Sequence, residues 1–248
     1  MKLFNSAEGW SPSSIITCHV IALVIGYSMI WTPSAVIWRD VSSEVFFALN
    51  GSLLWQHFWA VFWAALNTKT YDVAGAVLMF LPSLWYVYEG RKSEFQERLA
   101  RASVAWAGVI VTVFISKQLL PEIDFLSPSL TLQPVALVND LVPWIDAKWE
   151  SKNSFPGDHA VAAFSFAGLC FILLDRKTAW ISAFFGLLYS LPRLFSGAHW
   201  LSDEIVGGGI ALFIALGWTT NIPTLNWSRA IWQRIFTLFT KSNSASKG

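Results

Sequence analysis

The chain has 248 residues, 54% of them hydrophobic and only 13% charged, with 15 Trp and 19 Phe. A soluble domain carries about 25% charged residues, so part of the solvent of this chain is lipid. The net charge of +1 gives no basis for nucleic-acid binding, and Cys18 and Cys170, each in an apolar run, read as buried thiols rather than a disulfide or a metal site.

Six segments approach the roughly 20 residues that a bilayer requires. In chain order they are Ile15–Trp31, Tyr71–Tyr88, Ala102–Leu120, His159–Leu174, Ala179–Phe195 and Asp203–Asn221. The first follows a leader with only Lys2 and with Glu8, which favours an uncleaved anchor over a signal peptide. Two further stretches, Ser52–Leu66 and Asn226–Phe239, are apolar but rich in Trp and interrupted by polar residues. That pattern fits a helix lying in the interface. The expected fold is all-α: one membrane-embedded domain over residues 1–248, a bundle of six transmembrane helices with additional interfacial helices.

Orientation follows from Lys and Arg. With six spans, both termini share a side with Lys2, Arg91, Lys92, Arg98, Arg101, Arg176, Lys177, Arg229, Arg234, Lys241 and Lys247. The other side holds Arg39, Lys69, Lys117, Lys148, Lys152 and Arg193. Eleven against six places the termini in the cytoplasm.

The stretch SFPGDHA (Ser154–Ala160) then falls at the non-cytoplasmic mouth of the fourth span. Pro156 and Gly157 punctuate the chain before a helix, and Asp158 is placed to cap it. Backbone N–H groups at such a start favour an anion. Further on, PRLFSGAHWLSDEIVGG (Pro192–Gly208) brings Arg193, His199 and Asp203 to the same side and a similar depth. His199 and Asp203 are four residues apart, so on a helix the carboxylate would reach one imidazole nitrogen and leave the other free. Two histidines, an arginine and an acid near the membrane level suit phosphate chemistry. Arginine clamps phosphate oxygens, one histidine attacks phosphorus, and the other protonates the departing oxygen. A zinc site built from the two His and the Asp is the competing reading. Arg193 would repel the cation, and no HExxH is present.

These residues resemble the PAP2 (type 2 phosphatidic acid phosphatase) superfamily of membrane phosphatases. Its third motif, SRxxxxxHxxxD, is met by Arg193, His199 and Asp203, with Pro192 in place of the Ser. Its second, PSGH, corresponds to Pro156–His159, read here as PGDH. Its first, KxxxxxxRP, is degraded: Lys117 could begin it, but Asp124 and Phe125 stand where Arg and Pro belong. This likeness covers roughly residues 100 to 220. SFPGDH, GAHW, Leu126–Leu132 and LNTKTYD (Leu66–Asp72) extend it over most of the chain toward one branch, the lipid A 1-diphosphate synthases of Gram-negative inner membranes.

The resemblance implies a phosphotransferase that takes phosphate from undecaprenyl diphosphate and places it on the 1-phosphate of lipid A, on the periplasmic side. It implies no metal, no nucleotide and no other cofactor. His199 would be the nucleophile that becomes phosphohistidine, Asp203 would orient it, and His159 would protonate the leaving undecaprenyl phosphate. Arg193 would hold the phosphate with the Gly157 backbone, and Lys117 and Ser154 are the remaining phosphate-binding candidates. Asp158 would either cap its helix or tune His159 or the acceptor. Ser127, Ser129, Asn67, Lys69 and Asp72 match the branch and are candidate lipid-headgroup contacts, although Lys69 and Asp72 also fit a solvated loop at a helix start. Hydrolysis of undecaprenyl diphosphate or another lipid phosphate would use the same phosphoenzyme with water as acceptor. A binder or transporter on the same bundle would tolerate loss of a His or the Asp, and none is lost.

Overall fold

The structure, a computed structural model, describes residues 4, 6–119 and 125–245. Leu120, at the end of the expected third span, and Asp124 of the degraded motif lie outside the described residues. The elements are α1 (Pro12–Tyr27), α2 (Thr32–Ser52), α3 (His57–Ala65), α4 (Lys69–Glu89), α5 (Phe95–Leu119), the short α6 (Pro128–Thr131) and α7 (Val138–Leu141), α8 (Asp158–Leu173), α9 (Arg176–Ser196), α10 (Gly208–Thr220) and α11 (Thr224–Ala245). A wide π-helical turn, Asp203–Gly207, leads into α10. Outside the helices, among the described residues, an isolated β-bridge pairs Phe125 with Asn153.

Each of the six expected spans falls on a helix, but their number does not follow from length and composition. Among the described residues, Lys69–Glu89 and Phe95–Gln118 are each long and apolar enough to cross a membrane. Pro12–Tyr27 with Thr32–Ser52, bent by 70°, and Asp203–Thr220 with Thr224–Phe239, bent by 61°, raise the count to four if each bent pair is one span. The apolar α8 has 16 residues, short for a straight crossing. Helix α2 was not anticipated. Arg39, Asp40 and Glu44 interrupt its hydrophobic pattern, yet Pro33 opens it at a position where a missing N–H costs nothing.

Side-chain caps start two of the long helices that carry site residues. Thr68 accepts from the N–H of Tyr71 at the start of α4, and Asp175 accepts from that of Thr178 at the start of α9. Helix α8 is central and packs on α5, α9 and α10. Its Phe166, Leu169, Cys170 and Leu173 are buried together with Val104 and Val109 of α5 and Leu216 of α10. The outside is apolar: Leu23, Phe114 and Trp180 are exposed, whereas Ser83, Ser165 and Ser182 are buried. That distribution suits a lipid surround.

Helix pairs are joined by polar contacts, which count in a medium that offers no competing water. Trp106 donates to the Ser83 hydroxyl at 2.9 Å, tying α5 to α4, and Trp232 donates to Ser103 at 3.0 Å, tying α11 to α5. Each such bond is worth about 0.6–2 kcal/mol in a bilayer. Helix α5 separates two chemically distinct ends of the bundle. Near its start, Glu97 pairs with Arg101 and Arg229, each at 2.7 Å. Near its end, Lys117 reaches Asp158 at 3.5 Å. These ends are about 30 Å apart at the helical rise per residue.

Candidate active site

The first half of the site is built where α8 begins. Gly157 occupies the capping position and makes no side-chain cap, so the expectation that Asp158 caps the helix is overturned. The helix starts one residue earlier, and stronger donors claim the Asp158 carboxylate: His159 Nδ1 at 2.7 Å and Lys117 Nζ at 3.5 Å. The other ring nitrogen of His159, Nε2, lies 2.9 Å from Oδ1 of Asp72 in α4. Carboxylates only accept, so both nitrogens of His159 carry protons. The ring of Tyr189 covers the imidazole at 4.2 Å between centroids.

Arg193 enters from α9 and is only 3% exposed. Its Nη1 donates to Oδ1 of Asn67 at 2.6 Å, and its Nη2 donates to the same Asp72 oxygen at 2.7 Å. Nη2 is also 3.3 Å from His159 Nε2. Asn67 is itself buried. Its carbonyl accepts from the Lys148 N–H at 3.0 Å, and its amide donates to the Lys148 carbonyl. Loss of hydration lowers the Lys148 ammonium, and the charge of Asp158 opposes that shift.

The second half depends on a turn. Helix α9 ends at Gly197, whose φ of +78° is in the left-handed region that only glycine adopts cheaply. The N–H of Ala198 returns to the Arg193 carbonyl at 2.9 Å, and a Cβ on Gly197 would sit 2.6 Å from the Phe46 ring. This reversal brings His199 back over the loop before α8. His199 Nδ1 donates to the Ser154 carbonyl at 2.7 Å. Asp203 is 3.7 Å from Nδ1 and accepts instead from the Trp200 N–H at 2.8 Å. The expected i,i+4 hydrogen bond is therefore replaced by a backbone carbonyl, because His199 precedes the helix rather than lying on it. A carbonyl only accepts, so Nδ1 carries the proton and Nε2 keeps its lone pair. Nε2 is buried and has no hydrogen-bond partner among the described residues.

The remaining sequence candidates divide. His159, Asp158, Arg193, Asp72, Asn67 and Lys117 form one connected network. The N–H of Gly157 is taken by the Asp203 carbonyl at 3.3 Å, which links that network to the His199 side. The hydroxyl of Ser154 donates to the Phe125 carbonyl at 2.9 Å. Ser127 and Ser129 are buried 3.1 Å apart and hold the Trp149–Ser151 stretch of the loop, so both are committed to the scaffold. Lys69 is exposed at the start of α4.

Glu204 escaped sequence reading. It is buried, its Oε2 accepts from the Ser190 hydroxyl, and its Oε1 has no partner among the described residues. A Cβ at position 157 would lie 2.5 Å from that oxygen, so glycine there makes room for the carboxyl. On a regular helix, neighbours such as Asp203 and Glu204 point about 100° apart. Both lie in the π-helical turn and both are buried.

Comparison with known proteins places this geometry. Residues 130–227, which contain both histidines, Arg193 and Asp203, match the PAP2 superfamily. The chain is 24% identical over 233 residues to lipid A 1-diphosphate synthase of Escherichia coli (strain K12), covering 92% of each chain. It is 31% identical over 105 residues to the bacitracin transport permease protein BcrC of Bacillus licheniformis, covering 40% of this chain and 51% of that one. No solved structure matches. The PAP2 match across the site, together with a relative aligned along nearly the whole chain, indicates a membrane enzyme of the lipid phosphatase and phosphotransferase type, similar to the PAP2 superfamily over residues 130–227.

Proposed function

We propose that this enzyme transfers the terminal phosphate of undecaprenyl diphosphate to the 1-phosphate of lipid A, by way of a phosphohistidine on His199. The observation that carries the chemistry is the contrast between the two imidazoles. His199 offers a bare Nε2 with its proton fixed on the far nitrogen, and His159 has carboxylates at both nitrogens. One is set up as a nucleophile and the other as an acid.

In the first half-reaction, His199 Nε2 attacks the terminal phosphorus. The N–P bond forms, the P–O bond to undecaprenyl phosphate breaks, and the proton on His159 Nε2 passes to the departing oxygen. In the second, His159 takes a proton from the acceptor, whose oxygen attacks phosphorus and releases His199. Arg193 neutralises charge that builds on the phosphoryl oxygens, oriented by Asn67. Asp158 holds the His159 ring from behind. Asp203 acts on His199 through the backbone of Trp200 and through charge at 3.7 Å. Likeness to lipid A 1-diphosphate synthase over 92% of the chain supports lipid phosphate as the acceptor. Purified protein supplied with undecaprenyl diphosphate, with and without lipid A, tests this. The account expects phosphate on lipid A when lipid A is present. Release of inorganic phosphate in both cases would make water the acceptor.

The direct attack by His199 also predicts independence from metal. Activity should persist in EDTA and fall with orthovanadate, which mimics the five-coordinate transition state. Loss of activity in EDTA, restored by zinc or magnesium, would move the chemistry to a metal ion.

In this reading the enzyme lies in the bacterial inner membrane with six spans, both termini in the cytoplasm, and the site at the periplasmic face. The Lys/Arg asymmetry supports that orientation, as does the separation of the Glu97–Arg101–Arg229 cluster from the site. Reporter fusions at Gly248 and in the loop near Lys148 should report opposite sides. The same side for both would refute the six-span arrangement.

A further inference from the structure

The two side chains that would face a phosphate are already occupied. A single oxygen, Asp72 Oδ1, accepts from Arg193 Nη2 at 2.7 Å and from His159 Nε2 at 2.9 Å. Those donors come from α9 and α8, and Asp72 from α4, so the contact is no by-product of local chain geometry. Each donor is also braced from behind. Asn67 holds Arg193 by its other terminal nitrogen, and Asp158 holds His159 by its other ring nitrogen. Removing Asp72 from this picture leaves both groups oriented, with one free donor apiece converging on one point.

Exposure identifies which partner is the movable one. The side chain of Asp72 is 32% exposed, against 3% for Arg193 and 4% for His159. Asp72 therefore lies between the buried donors and the outside. Phosphate oxygens and a carboxylate oxygen make the same demand on a guanidinium and an imidazolium: a negative acceptor at charge-assisted hydrogen-bond distance.

We propose that Asp72 is an internal stand-in for the phosphate, holding the place of a phosphoryl oxygen until a lipid phosphate displaces it. The inference rests on the phosphate-transfer reading of the site and names a residue that selects among ligands. A displaced Asp72 adds negative charge close to the incoming anion and gives up two charge-assisted bonds. A small anion has only its own contacts to offset that cost. A lipid phosphate has its tail as well. Asp72 thus keeps free phosphate off Arg193 and His159 while the donors stay arranged for the lipid.

The test measures binding of inorganic phosphate and of orthovanadate to detergent-purified protein, read as protection against thermal unfolding, so no turnover is needed. Asp72→Ala should bind both anions about 10-fold tighter or more than the wild type, the scale of a lost charged competitor. Asp72→Asn, which keeps the shape and a weaker acceptor, should fall between and carries the test if the alanine variant does not fold. Asn67→Ala should bind both anions more weakly, since it removes the brace and not the competitor. Unchanged or weaker anion binding in the Asp72 variants would overturn the proposal and make Asp72 a part of the binding surface. Turnover of undecaprenyl diphosphate by the wild type is measured alongside. Tighter anion binding by Asp72→Ala with no turnover by the wild type would sink the functional reading and leave the stand-in intact.

Discussion

Replacing His199 by alanine should reduce turnover of undecaprenyl diphosphate by at least about 10⁴-fold, the scale seen when a catalytic nucleophile is lost. No other described group offers a buried, unpartnered imidazole nitrogen. His159→Ala should lose about 10²–10⁴-fold with the same substrate, the usual value of a positioned acid. The two variants separate when the leaving group departs unaided, as an activated aryl phosphate does. His159→Ala should then recover most of the first step, and His199→Ala should not. Asp203→Asn should cost less than either, because its carboxylate bonds the Trp200 N–H and not the imidazole. Rates of leaving-group release in single-turnover experiments check all three. Recovery of His199→Ala with the activated substrate, or equal losses for both histidines throughout, would reverse or remove the roles assigned.

Arg193→Ala should lower turnover by about 10³-fold, since a charge-assisted clamp on the transition state is lost from a site where water cannot replace it. Arg193→Lys should recover little. A lysine has no second arm for Asn67, and a planar fork holding two acceptors at 2.6 and 2.7 Å is not reproduced by a point charge. Stability should fall as well. Asn67 is buried, and its Oδ1 would lose the guanidinium donor, at a cost of about 1–3 kcal/mol. Steady-state rates with unfolding midpoints check this prediction. The account fails here if Arg193→Lys keeps wild-type activity.

Much of the candidate site is legible because its chemistry is spelled by rare residues in an apolar chain. Counting six spans puts His159, Arg193, His199 and Asp203 at one level, and the structure joins His159 to Arg193 and the loop before α8 to His199. What each of them touches could not be read the same way. The Asp203–His199 spacing suggested a side-chain bond, but the turn at Gly197 puts His199 ahead of the helix and hands its Nδ1 to the Ser154 carbonyl. A backbone acceptor leaves no trace in a residue pattern. Asp158 reads as a cap because Asp is among the favoured N-cap residues and stands before an apolar run. The helix begins a residue earlier, and His159 and Lys117 compete for the carboxylate. Glu204 was hidden by its neighbour, since Asp203 alone fits the i,i+4 spacing to His199, and the burial of both is visible only in the folded chain.

The fold was legible in the same uneven way. Hydropathy found each helix around which the site is built. It missed α2, whose charges at Arg39, Asp40 and Glu44 mask a 21-residue helix. That helix matters to the site indirectly. Asn50 bonds the carbonyls of Ala136 and Phe195, both at 3.0 Å, and so fixes the end of α9 that carries Arg193 into its turn. Long-range contacts of this kind depend on the assembled bundle and not on any local pattern.

The most direct measurement is to trap the intermediate. Protein incubated with undecaprenyl diphosphate labelled in its terminal phosphate, in the absence of acceptor lipid, is quenched in base and digested. The account predicts label on the peptide containing His199, stable to alkali and lost in mild acid, as an N–P bond requires. It also predicts that added acceptor lipid discharges the label. Turnover without labelled protein, or label on His159, would contradict it.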